Sequence, residues 1–143
     1  MKDTSAGNLP EKHVVSCFLE KGGLILLLRR SNLVGTFRGM WAGVSGYVES
    51  PPEEQALTEI REETGLGIDS VHLARKGDVV EIVSAGTRWC IHPFLFHVTS
   101  DAGIRTDWEH TEHRWIYPSE LGDYDTVPGL GSVLASLLGQ TGE

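Results

Sequence analysis

Apolar runs dominate the first half of the chain. Residues 13–20 (HVVSCFLE) and Leu24–Arg30 (LILLLRR) are separated only by Lys21, Gly22 and Gly23. Runs of this length suit strands, and a glycine pair permits the positive φ of a tight turn, so the pattern predicts a β-hairpin. Residues 31–40 carry Gly35 and Gly39 and read as a loop. Residues 41–48 read as a short strand, or a pair of strands, broken by Gly43 and Gly46. The period then changes. Ala56, Leu57 and Ile60 recur at helical spacing, behind Pro51 or Pro52, which suits a helix's first turn, and ahead of Gly65, which suits its end. Val71–Lys76, residues 79–84 and residues 88–99 return to strand character, the last being the longest and most apolar. Residues 101–108 form a polar connection, 114–117 a short strand and 118–121 a helical turn. Leu130, Val133, Leu134, Leu137 and Leu138 repeat at i, i+3, i+4, i+7 and i+8, which predicts a C-terminal helix over residues 128–138 packed on the sheet. Residues 1–12 read as a flexible N-terminal arm and residues 13–143 as one α/β domain without internal repeats.

Composition narrows the function classes. With 143 residues, 40% of them hydrophobic and 22% charged, the chain suits a single soluble core. Twenty acids against 12 Lys and Arg give a net charge of −8, which disfavours broad attraction to nucleic acid or to an anionic membrane. A small anionic substrate stays compatible, because a metal ion in an acidic pocket inverts the local sign. Cys17 and Cys90 have no CxxC spacing and lie in apolar stretches, so they read as buried thiols in a reducing cytoplasm. No run resembles a signal peptide or a membrane span, which adds to the cytoplasmic expectation. The pairs His110/His113 and Cys90/His92 lack further ligands nearby in sequence and are not read as zinc sites.

Candidate chemistry lies on the first predicted helix. Glu59, Glu62 and Glu63 are spaced i, i+3 and i+4, so a helix gathers them within roughly a quarter turn beside the apolar arc. Like charges at these spacings repel. A divalent cation among them offsets that cost, since hard cations favour oxygen ligands. A plain solvated acidic face would explain the same three residues.

The context separates the two. Residues 58–66 (TEIREETGL), preceded by Gly46 and by residues 51–57, resemble the Nudix box of the Nudix hydrolase superfamily, G-x5-E-x7-R-E-U-x-E-E-x-G-U with U aliphatic. Glu59, Ile60, Glu62, Glu63, Gly65 and Leu66 match it residue by residue. Two departures stand out: Thr58 occupies the place of the box arginine, and the preceding turn is two residues short, leaving the first box glutamate without a clear counterpart. In the family that arginine orients the neighbouring glutamate through an ion pair. Arg61 lies about 200° around the helix from Glu59 and cannot replace it.

The resemblance covers roughly residues 13–138 and implies an α/β/α Nudix sandwich with a mixed sheet. It also implies a pyrophosphohydrolase that uses Mg²⁺ or Mn²⁺ to cleave a nucleoside diphosphate linked to another group. By the same resemblance Glu62 and Glu63 are metal ligands, Glu59 is a ligand or water-positioning base, and the Gly46 carbonyl completes the shell. Glu109 or Glu112, before Trp115, matches the family's additional acid, and Arg30 and Arg38 are candidate phosphate contacts. Relatives are frequently dimers, so a homodimer is compatible. The departures at Thr58 and in the turn motivate an alternative reading, a Nudix-fold module that binds or senses a nucleotide without turnover.

Overall fold

The computed structural model describes residues 8–138. Strands β1 (Glu11–Lys21) and β2 (Leu24–Arg30) form the expected hairpin, turning through Gly22 and Gly23 at φ of 61° and 84°. After them come β3 (Trp41–Ala42), β4 (Val44–Tyr47), helix α1 (Pro52–Thr64), β5 (Val71–Lys76), β6 (Val80–Ser84), β7 (Thr87–Val98) and β8 (His110–Ile116). A 3-10 turn over Pro118–Asp123 leads to helix α2 (Leu130–Leu138).

β1 and β7 are the spine of one mixed sheet, running parallel in register from Glu11↔Arg88 to Glu20↔His97. The outer edge of β1 is divided between β4 and β2, and that of β7 between β6 and β5. Pro93 falls between those last two partners, where no antiparallel ladder needs its missing N–H. Alternation along the strands gives the sheet two buried faces. Phe18, Ile25, Leu27, Trp89 and Ile91 pack against Leu130, Val133, Leu134 and Leu137 of α2. Val15, Leu19, Leu26, Phe94 and Phe96 pack against Ala56 and Ile60 of α1. The layers are therefore helix, sheet, helix.

The sequence of α1 dictates its bounds. Pro52 sits at its start, Glu53 and Glu54 complement the N-terminal dipole, and Gly65 at φ 80° closes it with an N–H donated to the Arg61 carbonyl. Ala56, Ile60 and Glu63, spaced i, i+4 and i+7, form its fully buried stripe.

The clearest differences from the pattern-based reading have physical reasons. Glu11 and Lys12 belong to β1, because β7 supplies partners for them; of the predicted arm, residues 1–7 lie outside the described residues, as do residues 139–143. β8 begins at His110 and not at Arg114: its backbone pairs with β2, while Thr111 to Arg114 are exposed and carry no hydrophobic signal. Gly43 divides β3 from β4, whereas Gly46 stays within β4, paired with Val15. α2 starts at Leu130, because Gly129 takes φ 84°, outside helical space. Among the described residues no helix is long and apolar enough to cross a membrane.

Gly129 also packs tightly, since a Cβ there would lie 2.6 Å from Ile82 Cγ1. Gly129→Ala is expected to destabilise the fold by about 1–3 kcal/mol. Chemical denaturation of the variant checks this, and an unchanged midpoint would contradict it.

Candidate active site

α1 and β4 build the site together. Ser45 donates its backbone N–H to Glu63 Oε1 at 3.3 Å, and Gly46 lies directly against the Glu59 carboxylate. A Cβ at position 46 would overlap that carboxylate, so glycine is required by close approach, not by an unusual φ. Glu59 and Glu62 face a cavity of about 740 Å³, which Gly46, Arg30 and Glu109 also line. Glu63 lies beneath it, 1% exposed.

Glu63 is the anomalous group. Its Oε2 is buried with no hydrogen-bond partner, and its second contact, His110 Nε2, stands 3.7 Å from Oε1. Burial first, and then the adjacent Glu59, hold its carboxyl well above the ordinary carboxylate range. A buried anion without compensation is costly, so in the bare chain the neutral form of Glu63 is favoured. His110 supplies no charge of its own: burial lowers its pKa although Asp107, 2.9 Å from Nδ1, works against that shift. An orphaned buried carboxylate oxygen within an oxygen-only donor set fits a hard divalent cation.

Glu59 is held by a residue that the sequence reading did not single out. Gln55 is buried and donates from Nε2 to Glu59 Oε2 at 2.9 Å. Its Oε1 accepts from the Glu49 backbone N–H at 3.0 Å and from Ser50 Oγ at 3.1 Å. One side chain thus ties the shortened turn to the carboxylate that lacks its arginine. The signal was present: Gln55 lies four residues before Glu59, the spacing at which helical side chains meet.

The remaining candidates divide. Glu109 lines the cavity, and burial followed by the charges of Asp107 and Glu59 raises its pKa. Glu112 points elsewhere: as part of β8 it pairs with Arg29 Nη1 at 3.0 Å and is not among the residues lining the cavity. Arg30 lines the cavity and braces the adjoining loop by donating from Nε to the Thr36 carbonyl at 2.9 Å. Arg38 donates to the Val34 carbonyl at 2.7 Å and is likewise absent from the lining. His110 is buried against Asp107 and Glu63 while His113 is exposed, and the two do not gather with a third ligand among the described residues.

The cavity has an apolar end. Trp89 is buried and also lines this cavity. Its ring stacks with Tyr47 at 6.4 Å and 26°, and Lys12 Nζ stands 5.8 Å from the Trp89 ring. Phe37, at φ 50°, closes in from the loop braced by Arg30.

Known proteins share this architecture. A MutT protein from Methanosarcina mazei superimposes with a TM-score of 0.78 at 21% identity, over 94% of this chain and 98% of that one. An Ap4A hydrolase from C. elegans does so with 0.75 at 15%, over 87% and 93%. The NUDIX domain of Shewanella oneidensis NrtR, complexed with ADP ribose, gives 0.72 at 14%, over 88% and 85%. At these identities the likeness is one of fold. No curated protein matches in sequence. The family model described as NUDIX domain matches residues 10–137, nearly the whole chain, which therefore belongs to the Nudix family and is a pyrophosphohydrolase.

Proposed function

We propose that the chain hydrolyses the pyrophosphate linkage of a nucleoside diphosphate joined to another group, with Mg²⁺ or Mn²⁺ held by Glu59, Glu62, Glu63 and the Gly46 carbonyl. The observation that carries this reading is the unpartnered, buried Oε2 of Glu63 beside Glu59, a position that a dication would neutralise. When bound, the metal supplies a Lewis acid for phosphoryl oxygen and lowers the pKa of coordinated water.

The chain's own residues supply the rest. Gln55 aims the Glu59 carboxylate, and Gly46 leaves room for it. Glu109, whose raised pKa makes it a better proton acceptor than an ordinary glutamate, faces the same space and is the candidate general base. Arg30 presents a fixed positive charge toward phosphate oxygens. The stacked Tyr47 and Trp89, with Lys12 alongside, form a wall suited to the flat face of a nucleobase. Related folds that hydrolyse Ap4A or hold ADP ribose support a substrate of this class. Glu112 and Arg38 have no part in this arrangement.

A panel of nucleoside triphosphates, dinucleoside polyphosphates, ADP-ribose and sugar nucleotides, each with Mg²⁺ and with Mn²⁺, tests the reading. Metal-dependent release of a nucleoside monophosphate is expected from at least one of them. Absence of turnover across the panel, with tight binding of one compound, would instead favour a sensing module.

Two variants test the site. Glu63→Gln is expected to lower kcat/KM at least about tenfold, or ~1.4 kcal/mol of transition-state stabilisation. It should also abolish the rise in Tm that Mg²⁺ gives the unmodified chain, while the metal-free variant melts no lower than the unmodified one. Calorimetry with and without Mg²⁺ reads both effects. Gln55→Leu keeps the volume of α1's buried face but releases Glu59, so kcat should fall about tenfold with KM little changed. Adding Thr58→Arg to that variant should restore part of the rate. Steady-state kinetics decide, and an equal loss spread into KM would assign Gln55 to folding alone.

A further inference from the structure

The sheet face that packs on α1 carries a second cluster of donors, beyond the edge of that core. Parallel pairing of β1 and β7 sets His13 beside Cys90, and β6 sets Glu81 on the other side of Cys90. Side chains alternate across a sheet, so Glu11, His13, Cys90 and His92 share the face turned away from Trp89 and Ile91. Farther along the same strands, Val15 and Phe94 lie in the core beneath α1. Glu11 and His13 lie outside that core, about half-exposed, while Cys90 is buried with 6% exposure.

The ligand atoms of Glu11, His13 and Cys90 all lie within 4.8 Å of one another. A tetrahedral ion with bonds of about 2.0–2.3 Å separates its ligands by roughly 3.3–3.8 Å, so small side-chain rotations close this cluster around one. We propose that Glu11, His13 and Cys90 hold a Zn²⁺ ion, with water in the fourth position, stapling the start of β1 to β7. The proposal stands independently of the catalytic reading.

Donor chemistry selects the metal. One carboxylate, one imidazole and one thiolate suit Zn²⁺, whereas Mg²⁺ takes oxygen ligands and would be drawn to the glutamates of α1. The surroundings fit as well. His13 Nδ1 stands 3.0 Å from His92 Nε2. In the metal-free chain His13 Nε2 stands 2.8 Å from Glu11 Oε2, where the Nε2–H tautomer donates to the carboxylate. Ligation requires a bare Nε2, so the proton of His13 moves to Nδ1 and His92 Nε2 becomes its acceptor. Arg88 Nη1 lies 3.7 Å from the other oxygen of Glu11 and 3.5 Å from Glu81 Oε2, so it orients Glu11 while its own charge is offset by Glu81. With the thiolate formed, Glu11, Glu81, Arg88 and Cys90 sum to two negative charges, matched to a dication. Binding is balanced by one proton: the Cys90 S–H loses H⁺ to solvent as the S–Zn bond forms.

The experiment uses the full chain in excess Mg²⁺, which occupies the oxygen site, and titrates Co²⁺ as a coloured substitute for Zn²⁺. One equivalent should give the visible bands of tetrahedral cobalt with a thiolate charge-transfer band, and Zn²⁺ should bleach both. Cys90→Ser should remove the charge-transfer band, whereas Cys17→Ser and Glu62→Gln should keep it. His13→Gln, a change at a half-exposed side chain, should weaken Co²⁺ binding at least about tenfold without disturbing the fold. A purely octahedral spectrum in the unmodified chain would overturn the proposal. So would a charge-transfer band that survives Cys90→Ser, or unchanged affinity in His13→Gln.

Discussion

A carboxylate buried under the first helix sets the terms for the rest of the molecule. Glu63 occupies the same stripe of α1 as Ala56 and Ile60 and is as inaccessible as either. Burying an isoleucine fully contributes about 1.5–3 kcal/mol, while an ionised carboxylate without partners costs more than that. α1 can therefore hold its place only because the apolar stripe is joined by a second device. Ser45 offers one backbone donor, Gly46 lets the Glu59 carboxylate approach β4, and the two acids leave a position that a proton or a cation would neutralise. Remove the neutralising charge and the helix that carries the chemistry becomes the least comfortable element in the core. A cation held there, as proposed, would couple metal binding to the packing of α1 through one side chain.

The exchange of an arginine for Gln55 has consequences beyond geometry. Both an arginine and an amide can fix a carboxylate by hydrogen bonding, but only the arginine adds charge. Held by Gln55, Glu59 gains a hydrogen bond but no compensating positive charge beside Glu63. Such a pair binds protons more readily, and a dication more tightly, than one already compensated by guanidinium. Gln55 also anchors Glu49 and Ser50, so the missing arginine and the short turn are answered by the same residue. These two departures form one structural substitution, not two separate losses.

How far the sequence spoke for itself depends on the range of the interactions. Helical periodicity was enough to gather Glu59, Glu62 and Glu63, and turn chemistry was enough to mark the hairpin and the end of α1. Even the burial of Glu63 is written in its spacing from Ile60. What local pattern could not convey was pairing between distant strands. The exposed half of β8 forms because β2 offers an edge, and that pairing sends Glu112 to Arg29 and leaves Glu109 at the cavity. Arg38 looked equivalent to Arg30 in sequence, yet its guanidinium is committed to its own loop. The aromatic wall depends on Tyr47 and Trp89 meeting across the N-terminal end of β1, a contact no single window contains.

The same limit explains why Cys90 and His92 looked inert. Two residues apart on a strand, they share a face, but neighbours in sequence cannot complete a ligand set around them. The parallel register of β1 on β7 does so, by bringing Glu11 and His13 alongside. That register is itself enforced from the other side of the sheet, where Val14, Trp89 and Ile91 must face the α2 core together. A slip of one residue would turn these side chains outward and scatter both the aromatic wall and the donor cluster. One hydrophobic constraint therefore positions two chemically different groups of side chains, the stacked Tyr47 and Trp89 at the cavity and the mixed nitrogen, sulfur and oxygen donors on the sheet face that packs on α1.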